Sequence, residues 1–498
     1  MSTASSTLTQ KTTSGVAWSG IFQIARQGLS LISVSVLARL VPPSAYGLIA
    51  MAVVLSNFFD SIRDLGTGNA IIRELRPTER FIATLFWANC ILGVFLAACV
   101  YALSFPAAAF FHQPALVAII QVVSANFAIG SLGIVPSALL SRKMAFRQLG
   151  TAQFLAALLG TATAVTMAYF GMGVWSLVFG TLATTTATAL LVWVYNPIRI
   201  LWTLDFRIIR SISHYTLNLS GFGVVNYFSR NVDNLIVGRF LGSSPLGYYQ
   251  MGYTLMTFPL QNFSSMIAQV VFPAMAQVRE HEERTRSAFI RTSVLIAFFT
   301  FPAMLGLFVT ADPFVRSVLG AKWLPVANLL LVFAPLGMLQ SVMTVNGVIY
   351  NVKGRSDWQF AWGTFSGALY VLSFFLGLRW GIQGVANCYA LMWLALLPIN
   401  LMLPLKLLDL RFSTYLRNFW PVAQVNLAMV AVAEAWLWGI RHAGISNPPV
   451  QLVTTSVVGA VAYCLFVRWW KVPAARELVE ILQHSQNRFA GIAARLLT

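Results

Sequence analysis

Two arginines stand where a chain this apolar has little reason to place a charge. In VNYFSRNVDNLIVGRFLG, residues 225–242, Asn226, Arg230, Asp233 and Asn234 share one face of a helix with 3.6 residues per turn. Arg230 and Asp233 are three apart and close enough to pair. In WSGIFQIARQGLSLISVSVLARL, Ser19, Gln23, Arg26, Gln27 and Ser30 form a second polar stripe, again centred on an arginine. An arginine at the centre of a membrane helix costs about 2.5–3.5 kcal/mol on insertion scales, so such residues face a bundle interior or a wet cavity. The chemistry on offer is anion binding. Arg230 and Asp233 make either a closed pair that locks their helix or an anion site tuned by the acid. Arg26 has no acid within four residues on its own helix. Its counter-charge comes either from a neighbouring helix, through Asp60 or Asp64, or from an anionic substrate.

Further polar groups extend these stripes. In NFFDSIRDLGTGNA, Asn57, Asp60, Ser61 and Asp64 align at spacings of three and four. Asp60, Arg63 and Asp64 sit near the end of their apolar run, where they make a gate or simply reach the headgroups. Thr257, Gln261 and Ser264 surround Pro259, which is expected to kink its helix. Glu434, alone in a late apolar run, is a candidate for proton coupling.

The elements that must position these residues are membrane spans. The chain is 58% hydrophobic and only 10% charged, far from the usual soluble mix. Continuous apolar runs of about 20 residues, the length that crosses a bilayer, recur from Gly15 almost to Trp470. They are too long and too unbroken for barrel strands. The expected fold is an all-α polytopic membrane protein of about fourteen helices, near 14–39, 44–65, 80–104, 115–141, 146–170, 172–196, 214–239, 245–276, 287–310, 325–351, 357–379, 381–405, 417–440 and 450–470. The polar start, MSTASSTLTQKT, lacks a cleavage site after the first run, which therefore reads as a signal anchor. The net charge of +18 raises the question of nucleic acid. With both termini inside, however, 25 of the Lys and Arg residues fall on the cytoplasmic side and 6 on the outer side, so membrane topology accounts for most of the charge without a nucleic-acid partner. The four cysteines, Cys90, Cys99, Cys388 and Cys464, have no metal or redox spacing. No G-x-x-x-x-G-K-S/T loop is present, and no cofactor is expected.

An internal repeat divides the chain. VLARLVPPSAYGLIAMA (36–52) lies beside IVGRFLGSSPLGYYQMG (236–252), aligning Arg39 with Arg239, Ser44 with Ser244, Gly47 with Gly247 and Met51 with Met251. VPSALLSRK ends at Lys143 as VNGVIYNVK ends at Lys353, and GMGVWSL at 171 matches RWGIQGV at 379. Six helices per unit make the two repeats parallel, with a substrate path expected where the halves face each other. The expected organisation is a cytoplasmic segment 1–13, a six-helix lobe 14–196, a linker 197–213, a second lobe 214–405, two extra helices 406–470 and an amphipathic tail 471–498 lying on the inner leaflet.

Taken together, SGVAWSG, LARLVPPSAYGLIAMA, DLGTGNAIIRE, NVDNLIVGRFLGSSPLGYY and GIQGVA resemble the Wzx-type polysaccharide flippases. These form the polysaccharide transporter branch of the multidrug/oligosaccharidyl-lipid/polysaccharide exporter superfamily. The resemblance covers roughly residues 10 to 410. It implies two six-helix lobes in a V around a central cavity, and a non-enzymatic role in moving undecaprenyl-diphosphate-linked oligosaccharides across the bacterial cytoplasmic membrane, for exopolysaccharide, capsule or lipopolysaccharide assembly. Membrane lipid, a polysaccharide polymerase and a chain-length regulator are its candidate partners. On this reading Arg26 and Arg230 meet the diphosphate, since guanidinium binds phosphate oxygens in bidentate fashion. Gln23, Gln27, Asn226, Tyr227 and Asn234 meet the sugars, and Asp60, Arg63, Asp64 and Asp233 serve gating or ion pairing. A drug antiporter of the same superfamily is the first alternative, but it wants carboxylates where the first helix has none. A membrane-embedded polymerase or ligase is the second, and it wants an external loop longer than 311–324. A scaffold that kept the fold without transport is the third, and the retained arginines weigh against it.

Overall fold

A computed structural model describes residues 2–63, 67–74, 77–210, 231–264, 275 and 281–475, and the statements below concern these. Regular structure among them is helical, the arrangement that satisfies every backbone polar group inside hydrocarbon. The chain divides into two compact units, Met1–Gly247 and Tyr248–Thr498.

Unit 1 contains α1 (Ser2–Leu40), α2 (Pro43–Arg63), α3 (Thr67–Arg73), α4 (Glu79–Ala102), α5 (Ser104–Phe111), α6 (Leu116–Arg142), α7 (Phe146–Tyr169) and α8 (Val174–Tyr195). Helix α1 runs back through the expected polar segment, whose first twelve residues hold neither proline nor glycine to stop it. At the start of α4 the Thr78 side chain accepts the Phe81 N–H and Glu79 occupies the first turn, a capped and dipole-matched beginning. Helix α7 buries Ala152, Ala156, Gly160, Ala164 and Ala168, a small residue at every fourth position. That stripe lets α8 approach closely, as small residues do between membrane helices. In the described part of the expected linker, Trp202 stacks on Trp87 at 4.2 Å, and the Trp87 indole donates to the Leu201 carbonyl.

The two copies of the repeated turn meet inside unit 1. A methyl group at Gly47 would stand 1.7 Å from the Ser243 carbonyl oxygen, and one at Gly247 would stand 2.0 Å from the Pro43 carbonyl oxygen. Positions 43 and 47 thus trade partners with positions 243 and 247. Arg239 is half-buried, bonded to His112 and placed over the Phe110 ring at 5.6 Å. These contacts hold residues 231–247 within unit 1.

Helix α9 (Ser243–Pro259) passes into a π turn at Leu260–Ser264, directly after the proline expected to disturb it. Unit 2 continues with α10 (Glu282–Val309), α11 (Leu324–Val352), α12 (Ser356–Gly377), α13 (Gly381–Leu407), α14 (Phe412–His442) and α15 (Pro448–Trp469). Its core joins Phe289, Ile296, Ile349, Leu405, Tyr415 and Val425. Polar bridges fix the packing: Thr300 and Ser341 hydroxyls lie 2.7 Å apart, and the Tyr463 hydroxyl donates to the Phe298 carbonyl at 2.7 Å.

Among the described residues ten stretches are long and apolar enough to cross a membrane, one of which, Ser356–Leu407, holds both α12 and α13. The second expected span, α2, runs at its end into positions outside the described residues. The seventh and eighth expected spans fall partly outside the described residues, as does the amphipathic tail beyond 475. Exposed Ile24, Phe95, Val194, Leu391, Trp438 and Leu465 form the apolar exterior that lipid requires.

Candidate functional site

Four of the five threonines of α8, at 181, 184, 185 and 188, follow the i, i+3, i+4, i+7 rule and therefore share one face. That face lines a cavity of about 720 Å³ inside unit 1. Helix α2 contributes Ser56, Asn57, Asp60 and Arg63, α6 contributes Asn126, Ser137 and Ser141, and α7 contributes Gln153.

Hydrogen bonding gives this wall a definite polarity. Thr181, Thr184, Thr185 and Thr188 donate their hydroxyl protons to the carbonyls of Val178, Gly180, Thr181 and Thr184, at 2.7–3.1 Å. Ser56 does the same to Ala52 at 3.0 Å. A hydroxyl whose proton is spent on its own helix presents only acceptor lone pairs. Asn126 donates its amide to the Val123 carbonyl at 3.1 Å, while its buried Oδ1 has no partner among the described residues. The wall therefore offers acceptors, which suit a ligand rich in hydroxyl donors.

Cations stand at the edge of this surface. Arg63 pairs with Asp60 at 3.0 Å, and both side chains stay partly open, at 30% and 45% exposure. Gly130 makes room for the guanidinium, since a methyl there would lie 2.9 Å from Arg63 Nη1. Arg26 donates from Nη1 to Gln153 Oε1 at 2.9 Å and from Nη2 to Gln23 Oε1 at 2.5 Å. Gln153 thus joins Arg26 to the cavity. Both acceptors are neutral amides, so Arg26 keeps its charge uncompensated among the described residues. Asp60 is taken by Arg63 and is not the counter-charge of Arg26.

The expected site residues divide into three groups. Gln23, Arg26, Asp60 and Arg63 gather at or beside the cavity. Gln27 is half-buried on α1, while Asp233 and Asn234 are buried in the helical stretch 231–241. Asp233 Oδ1 accepts the Asn234 N–H at 2.8 Å, and Asn234 Oδ1 is buried without a partner. Glu434 lies on the exposed face of α14, between buried Ala433 and Leu437. Asp64, Asn226, Tyr227 and Arg230 lie outside the described residues. Gln153, Asn126 and the threonine face are additions from the structure, and the spacing of TLATTTAT carried the signal for the last of these.

Fold and cavity together define a multi-span, all-helical membrane protein with a polar interior. The chain belongs to the polysaccharide biosynthesis protein family, which it matches over residues 36–328. Among curated relatives, lipopolysaccharide biosynthesis protein WzxC of Escherichia coli (strain K12) is 26% identical over 441 residues, covering 86% of this chain and 88% of that protein. Teichuronic acid biosynthesis protein TuaB of Bacillus subtilis (strain 168) is 25% identical over 462 residues, covering 92% and 95%. Among solved structures, the lipid II flippase MurJ in an inward closed conformation superposes with a TM-score of 0.70 at 14% identity, over 92% of this chain and 99% of that one. That likeness is one of fold.

Proposed function

We propose that this chain is a flippase that carries a lipid-diphosphate-linked oligosaccharide across the bacterial cytoplasmic membrane, with both termini on the cytoplasmic side and no covalent chemistry of its own. The observation that carries the reading is the unit 1 cavity, where an acceptor-rich wall adjoins two arginines. An oligosaccharide presents many hydroxyl donors, and a diphosphate presents the anion that an uncompensated guanidinium attracts. On this reading Thr181, Thr184, Thr185, Thr188 and Asn126 accept from sugar hydroxyls, Arg26 meets the diphosphate, and Arg63 with Asp60 acts as a switchable pair at the cavity edge. Arg230, expected from its stripe, is the second diphosphate ligand.

Movement follows from alternating access, with the loaded cavity exposed first to one face and then to the other, and an ion gradient or downstream consumption of the substrate supplies its direction. The relatives named for lipopolysaccharide and teichuronic acid biosynthesis support an envelope glycan as cargo. Deleting the gene and extracting lipid-linked sugars tests this. A diphosphate-linked repeat unit should accumulate on the inner face and polymer export should stop. Normal export, or loss of export without that intermediate, would overturn the reading.

A further inference from the structure

A second polar recess lies in unit 2, far in sequence from the cavity above, and belongs to no part of the proposed transport site. It encloses about 570 Å³ between the first turns of α10, the first turns of α14 and the Val472–Ala474 turn that follows α15. These are three segments whose basic residues fall on the same side of the membrane in the sequence-based topology, and here they converge.

The recess changes character along its length. On α10 it is lined by Glu283, Arg286 and Ser287, then by Ile290 and Arg291, then by Val294. On α14 Thr414, Arg417 and Asn418 precede Pro421 and Val422. At 1.5 Å per residue, the eleven positions from Glu283 to Val294 take the wall about 16 Å from charged to apolar. Such a gradient matches an amphiphile whose anionic head stays at the interface while its chain enters the hydrocarbon. Charge sets the kind of head. Arg286 is already held by Glu282 and Asp409, each at 3.1 Å, and it also donates to the Leu408 carbonyl. Glu283 stands in the same wall. Arg291 and Glu283 bring opposite charges to the same wall, while Arg417 has no hydrogen bond or ion pair among the described residues and is exposed, so its guanidinium is on offer. The remaining positive charge suits one phosphodiester better than a diphosphate.

We infer that this recess is a binding site for an anionic phospholipid, with Arg417 on the phosphate and Ile290, Val294 and Val422 against the first part of an acyl chain. Mass spectrometry of the full-length protein from nanodiscs tests the assignment. The nanodiscs would contain phosphatidylglycerol, phosphatidylcholine or a mixture, with and without an undecaprenyl diphosphate. The wild type should keep one phosphatidylglycerol in preference to phosphatidylcholine. Arg417→Gln should weaken that retention about fivefold, the effect of one basic residue at an anionic surface. Arg411→Gln, which removes a charge at the start of α14 outside the recess, should leave it unchanged. Equal retention of the two phospholipids, equal behaviour of the two variants, or displacement of phosphatidylglycerol by the diphosphate at equal concentration would each overturn the assignment. Both arginines are exposed, so folding is expected to survive either change, and unaltered thermal unfolding of the variants confirms that the comparison is valid.

Discussion

Replacing Gly160 by alanine should loosen the wall of the unit 1 cavity through a single methyl group. That methyl would stand 1.8 Å from Thr184 Oγ1, 2.7 Å from the Gly180 carbonyl oxygen and 3.0 Å from Thr184 Cβ, where ordinary contacts lie at 3.4–4 Å. Rotation of Thr184 relieves only the first of these, so α7 and α8 must also part. Overpacking of this kind costs about 1–3 kcal/mol, and for a unit of this size each kcal/mol lowers the melting temperature by about 2–4 °C. A loss of about 2–12 °C is expected for the purified protein followed by tryptophan fluorescence. Adding Thr184→Ala to Gly160→Ala removes the hydroxyl but leaves the Gly180 carbonyl in place, so it should recover roughly half of the deficit as a coupling between neighbours. Gly28→Ala is the control, because nothing lies within 4 Å of a methyl there. It should be neutral or stabilise by up to about 1 kcal/mol through helix propensity. A Gly160→Ala protein that melts with the wild type, or a deficit untouched by Thr184→Ala, would refute the close contact.

The other predictions bear more directly on transport. Asp60→Asn, Arg63→Gln and the double change should each move stability by no more than about 1 kcal/mol, since partly exposed pairs contribute little. All three should abolish polymer export in a complementation assay, and restoration of export by the double variant would show that the pair is only a lock. Arg26→Ala should stop export with the protein still in the membrane. Arg26→Lys should not rescue it, because an ammonium cannot hold Gln23 and Gln153 in the planar fork that guanidinium uses. Gly47→Val and Gly247→Val should each lower the amount of folded protein seen on gel filtration, by forcing apart the turns at Ser243 and Pro43.

Much of this molecule was legible before its coordinates. Helices such as α6 and α11 begin and end within a residue or two of their apolar runs, because a span must start and stop where the hydrocarbon does. The two glycines that the aligned turns share, Gly47 and Gly247, make close approaches that tolerate nothing larger. The polar cavity was only half legible. Arg26 and Asp60 announce themselves as charges in apolar runs. Threonine and serine in membrane helices usually bond back to their own carbonyls, and that bond conceals which of them also face a cavity. Gln153 is one of two glutamines in its helix, and only the fold brings it to Arg26. Asp60 shows the limit from the other side: spacing offers it to Arg63 on its own helix, a neighbouring helix could offer it to Arg26, and packing decides for Arg63.

Transport itself is the central claim, and reconstitution tests it most directly. Purified protein would be placed in liposomes holding an undecaprenyl-diphosphate-linked oligosaccharide, and a membrane-impermeant glycosidase added outside. The account predicts that the inner-leaflet share becomes accessible with the wild-type protein and stays protected with Arg26→Ala. An inner-leaflet share that stays protected with folded wild-type protein, or is released equally by Arg26→Ala, would contradict it.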